Sequence, residues 1–310
     1  AAGQPLPLAQ ADVTLSGHAM EVRLYAEDPA QGFLPQTGDV VHWEPATGVR
    51  IDHGVIEGQR ISPFYDPMLG KLIAHGATRE EARRKLLRAV EDTVLLGVAT
   101  NQPLLVSLLK HPDFVGGDFS TGFIAEHFSD IPTLTPSPEQ LALAGALFYQ
   151  HSANQHPQGL AGWRNNASAP CIYRLEVNGE IHIVSAEPLQ LTTDGRHATL
   201  VFNGIRRRTA YHLDGNQLWL PGLRVIDCTQ QVASRQADIS SGTVKAPMDG
   251  AIVDVRVSTG DSVTKGQLLL VLEAMKMEHP LTAGIDGVIK GVQVIAGDQV
   301  RNRQVLLEIV

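Results

Sequence analysis

A chain of 310 residues with 43% hydrophobic and 19% charged side chains has the composition of an ordinary globular protein and is long enough for two or three separate cores. Its net charge of −8 leaves no basic excess to neutralise phosphates, which argues against a general affinity for nucleic acid or anionic membranes; Arg206-Arg-Arg208 is a short locally basic run. No apolar run approaches the roughly 20 residues that cross a bilayer, and two cysteines, Cys171 and Cys228, are too few for a disulfide framework and are expected as buried, reduced thiols.

The N-terminus, Ala1-Ala-Gly-Gln-Pro-Leu6, has neither a charged leader nor an apolar signal core and lacks an initiator Met, so the chain is expected to be a piece of something longer. From His18 to Glu27, Met20, Val22, Leu24 and Ala26 alternate with Glu21, Arg23, Tyr25 and Glu27, which predicts a strand with one polar face. Thr78-Arg-Glu-Glu81 has the spacing of a capping box, and Ala82, Leu86, Val90 and Val94 recur four apart, as on one face of an amphipathic helix. A second helix is predicted from Asn101 to Lys110, closed by Pro112.

The turn-rich, uncharged stretch Ile131-Pro-Thr-Leu-Thr-Pro-Ser-Pro138 marks a first domain boundary, after which Ser137 and Pro138 open a helix reaching about Gln150. Four hairpin signals follow, Asn178-Gly179, Asp194-Gly195, Asn203-Gly204 and Asp214-Gly215, predicting an antiparallel meander. His151 and His156 share the loop between helix and meander without partners at ligand spacing, so no metal is expected. A polar stretch from Thr229 to Gly242 reads as a second, exposed linker.

The last 70 or so residues contain an internal repeat: Gly250–Asp261 aligns with Gly287–Asp298 at a constant offset of 37 (287 − 250 and 298 − 261), and Gln267-Leu-Leu-Leu270 matches Gln304-Val-Leu-Leu307 at the same offset. Each half is too small to bury its own apolar face, which predicts two sets of short strands packed about a quasi-twofold axis. Between the halves lies Glu273-Ala-Met-Lys-Met-Glu-His279, which places Lys276 at or near a hairpin tip flanked by the adaptable apolar side chains of Met275 and Met277.

This combination of Ala-Met-Lys-Met, the quasi-symmetric position and the 34 residues that follow (310 − 276) resembles the biotinyl carrier domain of biotin-dependent carboxylases. The resemblance implies covalent biotin on Lys276, with Met275 and Met277 recognised by a biotin protein ligase. Lipoyl domains share the fold and the turn lysine but usually carry Asp-Lys-Ala there; the methionines point to biotin.

Three further motifs, His18–Pro29, Gly32-Phe-Leu-Pro-Gln-Thr-Gly38 and Ser62-Pro-Phe-Tyr-Asp-Pro-Met-Leu-Gly-Lys71, look like the C-terminal lobe of the biotin carboxylase component. In that family the complete domain is an ATP-grasp fold using ATP, Mg and bicarbonate, and the arginine matching Arg23 stabilises negative charge developing on the ureido group of biotin. The physical reason is that a fixed guanidinium aimed at a developing oxyanion lowers the barrier. Asp66 and Lys71 read as structural. No glycine-rich phosphate loop with a lysine occurs in the 310 residues, so this polypeptide by itself is expected not to carboxylate biotin with ATP.

The resemblance thus implies a multidomain α+β chain from the α subunit of an acyl-CoA carboxylase. Residues 1–130 would be a partial ATP-grasp C-terminal lobe, 131–236 a BT-type antiparallel β-barrel around a central helix, and 237–310 an all-β barrel-sandwich of biotinyl/lipoyl type. The middle domain would tie the chain to a carboxyltransferase β subunit, with Trp163 a candidate contact. The acyl-CoA would bind on that subunit, and 3-methylcrotonyl-CoA or geranyl-CoA is favoured over propionyl-CoA. The expected location is the bacterial cytoplasm or the mitochondrial matrix.

Overall fold

The computed structural model describes residues 3–155, 171–186, 190–230, 242–275 and 277–310. In the N-terminal third, strand Met68–Gly76 lies between strands His18–Tyr25 and Arg50–His53 in an antiparallel sheet. Val22 and Leu24 are buried and Glu21 and Arg23 exposed, as the alternation predicts. Helix Arg79–Asp92 covers the sheet with Leu86, Ala89 and Val90, which share a core with Val22, Leu24, Leu72 and Ala74. Fully buried leucines such as Leu72 and Leu86 each contribute about 1.5–3 kcal/mol relative to exposure.

Two local features depart from the sequence reading. Thr78 does cap this helix, its hydroxyl accepting from the Glu81 amide at 3.2 Å, but the Glu81 carboxylate returns to the Ala77 amide at 2.8 Å rather than to Thr78. Val94 leaves the helix altogether: the β-branched pair Thr93-Val94 turns extended, and Val94–Leu96 pairs with His42–Glu44. The second helix runs Gln102–Lys110, and Pro112 begins a further short helix, Pro112–Gly116, because a proline at the first helical position forfeits no hydrogen bond. A last short helix, Phe123–His127, completes this region.

The middle region opens with helix Pro138–Asn154, four residues longer than predicted. Its capping box is complete, Ser137 Oγ accepting from the Gln140 amide at 3.2 Å and Gln140 Oε1 from the Ser137 amide at 2.9 Å. Residues Leu143 to Phe148 are buried consecutively, so the helix is enclosed on all sides over that stretch. Their partners come from a five-stranded sheet, through Leu175, Val184, Leu218 and Val225, and from a three-stranded sheet, through Ala198 and Leu200. Gly145 allows close approach, because a Cβ there would lie 3.0 Å from Val184.

The hairpin signals fare unequally. Asn178-Gly179 and Asn203-Gly204 are two-residue turns with positive φ at both positions, the geometry that matches strand twist. The connection at Asp194 spans four residues, and that near Asp214 is Gly215-Asn216. Cys171 is half-buried and Cys228 buried, so only the latter matches the expected buried thiol, and burial pushes its pKa up. Much of the predicted linker 229–242 lies outside the described residues, as do His156 and Trp163.

In the last third, strands Thr243–Lys245, Val305–Ile309, Gly287–Val292 and Ser262–Val263 form one sheet, and Met277–Thr282, Leu268–Ala274, Gly250–Val255 and Gln299–Val300 form the other. Each sheet takes strands from both halves in the same order, so the repeat in sequence is a repeat in space. Equivalent irregularities recur, one between Ile252 and Asp254 and one between Ile289 and Gly291. Equivalent hydrogen bonds recur too: Gly260 to the Ile289 carbonyl at 2.8 Å and Gly297 to the Ile252 carbonyl at 2.7 Å. Both halves bury Ile252, Leu269, Leu270, Ile289, Leu306 and Leu307 in one core.

Among the described residues no helix is long and apolar enough to cross a membrane.

Candidate functional site

At the end of the second sheet, Glu273 pairs with Glu278 and Ala274 with Met277, which leaves two residues for the connection. One is Met275, with φ at +49°, the left-handed conformation a tight hairpin turn requires. The other is Lys276, which lies outside the described residues.

The two methionines have different surroundings. Met277 is exposed at 41%, as expected of a recognition surface, whereas Met275 is only 2% exposed. Its side chain belongs to the apolar core of the N-terminal third, and its amide donates to the Pro63 carbonyl at 2.7 Å. The expectation that both methionines form apolar surface is therefore corrected for Met275, because its side chain is taken into the core of the N-terminal third. Leu34 packs on the C-terminal core and Arg60 approaches Asp249 at 3.9 Å, adding two further contacts between the same regions.

The loop of residues 62–67 reaches Arg23. In the antiparallel register Arg23 faces Lys71, which faces Asp52, so the three form a line across the sheet. Glu21 lies 3.9 Å from Arg23 and 3.8 Å from Lys71. A hydrogen bond with the Tyr25 side chain, together with the charges of Tyr25, Glu21 and Asp66, holds the Arg23 pKa above the ordinary arginine value, and its side chain is 55% exposed. Asp66 also fixes its own loop by accepting from the Met68 amide at 2.9 Å, consistent with the structural reading given to it. Glu27, half-buried beside Asp66, has its carboxyl pKa raised, first by burial and then by that neighbouring charge.

Sequence reasoning missed the residue that fixes the Arg23 backbone. Asn101, read as the start of a helix, is 7% exposed and makes no side-chain cap. Its amide instead bridges the strand, Oδ1 accepting from the Tyr25 amide at 2.9 Å and Nδ2 donating to the Arg23 carbonyl at 3.1 Å. Also missed was His279, four positions beyond Met275, whose Nε2 is buried without a hydrogen-bond partner among the described residues and whose pKa is lowered by burial.

A lysine between Met275 and Met277 at a two-residue turn suits a group that must be attached from outside and then carried, because the flanking strands are rigid and Met277 is open to solvent. Arg23, by contrast, supplies a fixed positive charge on an exposed sheet face.

Comparison with known proteins gives two matches to family models, "Biotin carboxylase C-terminal domain" over residues 21–126 and "Biotin-requiring enzyme" over residues 242–309. The methylcrotonoyl-CoA carboxylase subunit alpha (mitochondrial) of Dictyostelium discoideum is 30% identical over 92% of this chain and 47% of its own length. The propionyl-CoA carboxylase alpha chain (mitochondrial) of Homo sapiens is likewise 30% identical, over 92% of this chain and 45% of its own length. The chain therefore spans about half the length of these curated relatives. A crystal structure of the biotin carboxylase subunit of pyruvate carboxylase matches 43% of this chain and 30% of its own at 36% identity, with a TM-score of 0.41.

Proposed function

We propose that the chain is part of the α subunit of a biotin-dependent carboxylase, combining a biotin carboxylase C-terminal domain with a domain of biotin-requiring enzymes, and that Lys276 carries the biotin. The supporting observation is the two-residue tip between Ala274 and Met277 at the junction of two near-equivalent halves. Biotin bound there would supply a ureido nitrogen able to carry carboxylate from one site to an acyl-CoA at another. Residues 237–310 hold the lysine amine on a rigid support, and Met277 offers the apolar contact for a biotin protein ligase.

Residues 1–130 take the role of the carboxylase lobe. Arg23, oriented by Tyr25 and Glu21, presents its guanidinium to negative charge developing on the ureido oxygen. ATP, Mg and bicarbonate act in the complete subunit; the 310-residue polypeptide alone should show no biotin-dependent ATP hydrolysis. Residues 131–236, with a helix enclosed by strands of two sheets, act as the BT-type barrel that holds a carboxyltransferase β subunit. The acceptor is 3-methylcrotonyl-CoA or geranyl-CoA, and the location is the bacterial cytoplasm or the mitochondrial matrix.

Co-purification of the complete subunit with its carboxyltransferase partner, followed by carboxylation assays on a panel of acyl-CoA thioesters, tests this reading. Preference for 3-methylcrotonyl-CoA or geranyl-CoA supports it. Relatives that act on methylcrotonoyl-CoA and on propionyl-CoA are equally similar, so a preference for propionyl-CoA would replace the acceptor while leaving the role of Lys276 intact.

A further inference from the structure

At the end of the N-terminal third, His111 and Asp113 converge with His127, which stands 14 positions beyond Asp113 in sequence. One potential ligand atom from each lies within 4.8 Å of the others. The Asp113 carboxylate stands 3.8 Å from His111 Nδ1 and 3.5 Å from His127 Nε2. Both separations exceed the roughly 2.7–3.2 Å of a good hydrogen bond. A tetrahedral ion with N and O ligands at about 2.0–2.2 Å would set neighbouring donor atoms about 3.3–3.6 Å apart. The two separations from Asp113 are thus too long for direct bonding and within a few tenths of an ångström of the spacing a small cation imposes, while all three donor atoms fall within 4.8 Å of one another.

The backbone carrying these groups is fixed independently of any ion. Arg83, itself buried, donates to the Leu109 carbonyl at 2.6 Å, two residues before His111. Arg79 donates to the carbonyls of Phe114 at 2.6 Å and Val115 at 2.9 Å, and its guanidinium lies over the Phe114 and Phe119 rings. The imidazoles of His111 and His127 sit 4.5 Å apart between centroids and pack against Phe123. His127 is exposed, so solvent ions have access. His111 Nδ1 accepts a long 3.3 Å bond from the Asp113 amide, which a cation on that lone pair would replace.

We propose that His111, Asp113 and His127 form a binding site for a borderline divalent cation, zinc being the best fit to two imidazoles and one carboxylate with a fourth position left to water. The ion ties helix Phe123–His127 to the junction His111–Asp113 and so clamps the end of the N-terminal domain just before the boundary at Ile131.

Calorimetric titration of zinc chloride into the metal-free 310-residue chain tests this, beside His127→Gln and Asp113→Asn. The expected result is one site per chain, weakened at least tenfold in each variant, and a zinc-dependent rise in Tm seen only in the parent. Cobalt(II) should give the visible spectrum of a tetrahedral site in the parent alone. Melting in chelator checks that the variants fold; because His127 is exposed, its variant carries the test should Asp113→Asn be destabilised. Equal zinc affinity and stoichiometry in parent and variants, or no binding at millimolar zinc, would overturn the proposal.

Discussion

The amide of Met275 donates to the carbonyl of Pro63 at 2.7 Å, joining the tip of the C-terminal hairpin to a loop of the N-terminal domain. Because Met275 is buried in the core of that domain, the residue preceding Lys276 serves as an anchor in this arrangement. A carrier that must travel needs such a contact to be small enough to release, and one buried side chain contributes about 1.5–3 kcal/mol.

Substituting Met275 by Ala should therefore undock the hairpin without unfolding the C-terminal domain, whose core is built from other residues. Hydrogen exchange at the Met275 amide and across Ser62–Pro67 should accelerate about tenfold or more, that contribution corresponding to at least a factor of ten in the docking equilibrium. Melting of the C-terminal domain should be unchanged. Unaltered exchange at both places would refute the anchoring role.

Asn101 and Arg23 should separate stability from chemistry. Asn101→Ala leaves the Tyr25 amide and Arg23 carbonyl unsatisfied in a largely buried place and should cost about 2–3 kcal/mol in chemical denaturation. Arg23→Ala removes an exposed side chain and should leave the denaturation midpoint nearly unchanged while lowering biotin carboxylation by the complete subunit.

How much of this was legible in the sequence depended on the range of the interactions. The 37-residue repeat, the Asn-Gly turns and the polar face bearing Arg23 are written in local pattern, because twist, positive φ and burial act on neighbouring residues. Asn101 reads locally as a helix start; its real partners are 76 and 78 positions away. Pro63 carries no signal for Met275, since the contact is made by a backbone carbonyl. The cluster of His111, Asp113 and His127 was equally hidden, because His127 returns only through a second short helix.

His279 should confer a pH dependence of known sign. Burial lowers its folded pKa below the ordinary 6.5, so the unfolded chain binds more protons and stability falls as pH drops through 6.5 toward the folded value. Denaturation curves of the parent should lose midpoint across that window relative to His279→Leu, which lacks the ionisable ring. Parallel curves for the two proteins would contradict this.

The pair Glu57 and Arg196 bridges the first and middle domains at 2.8 Å. Bonds from Arg196 and from the Trp43 amide hold the Glu57 pKa down to about 2, so its contribution is present above the ordinary carboxylate value of 4.5 and is lost as pH falls toward 2. Both side chains are substantially exposed, and a double-mutant cycle should give about 1 kcal/mol or less at neutral pH. A cycle energy that persists unchanged at pH 2 would exclude the ion pair as its source.

The assignment of the hairpin lysine is tested most directly by intact mass and peptide mapping after co-expression with a biotin protein ligase. One biotin per chain, located on Lys276 and absent from Lys276→Ala, is the predicted result. A chain that remains unmodified, takes a lipoyl group instead, or carries its biotin on another lysine would contradict it.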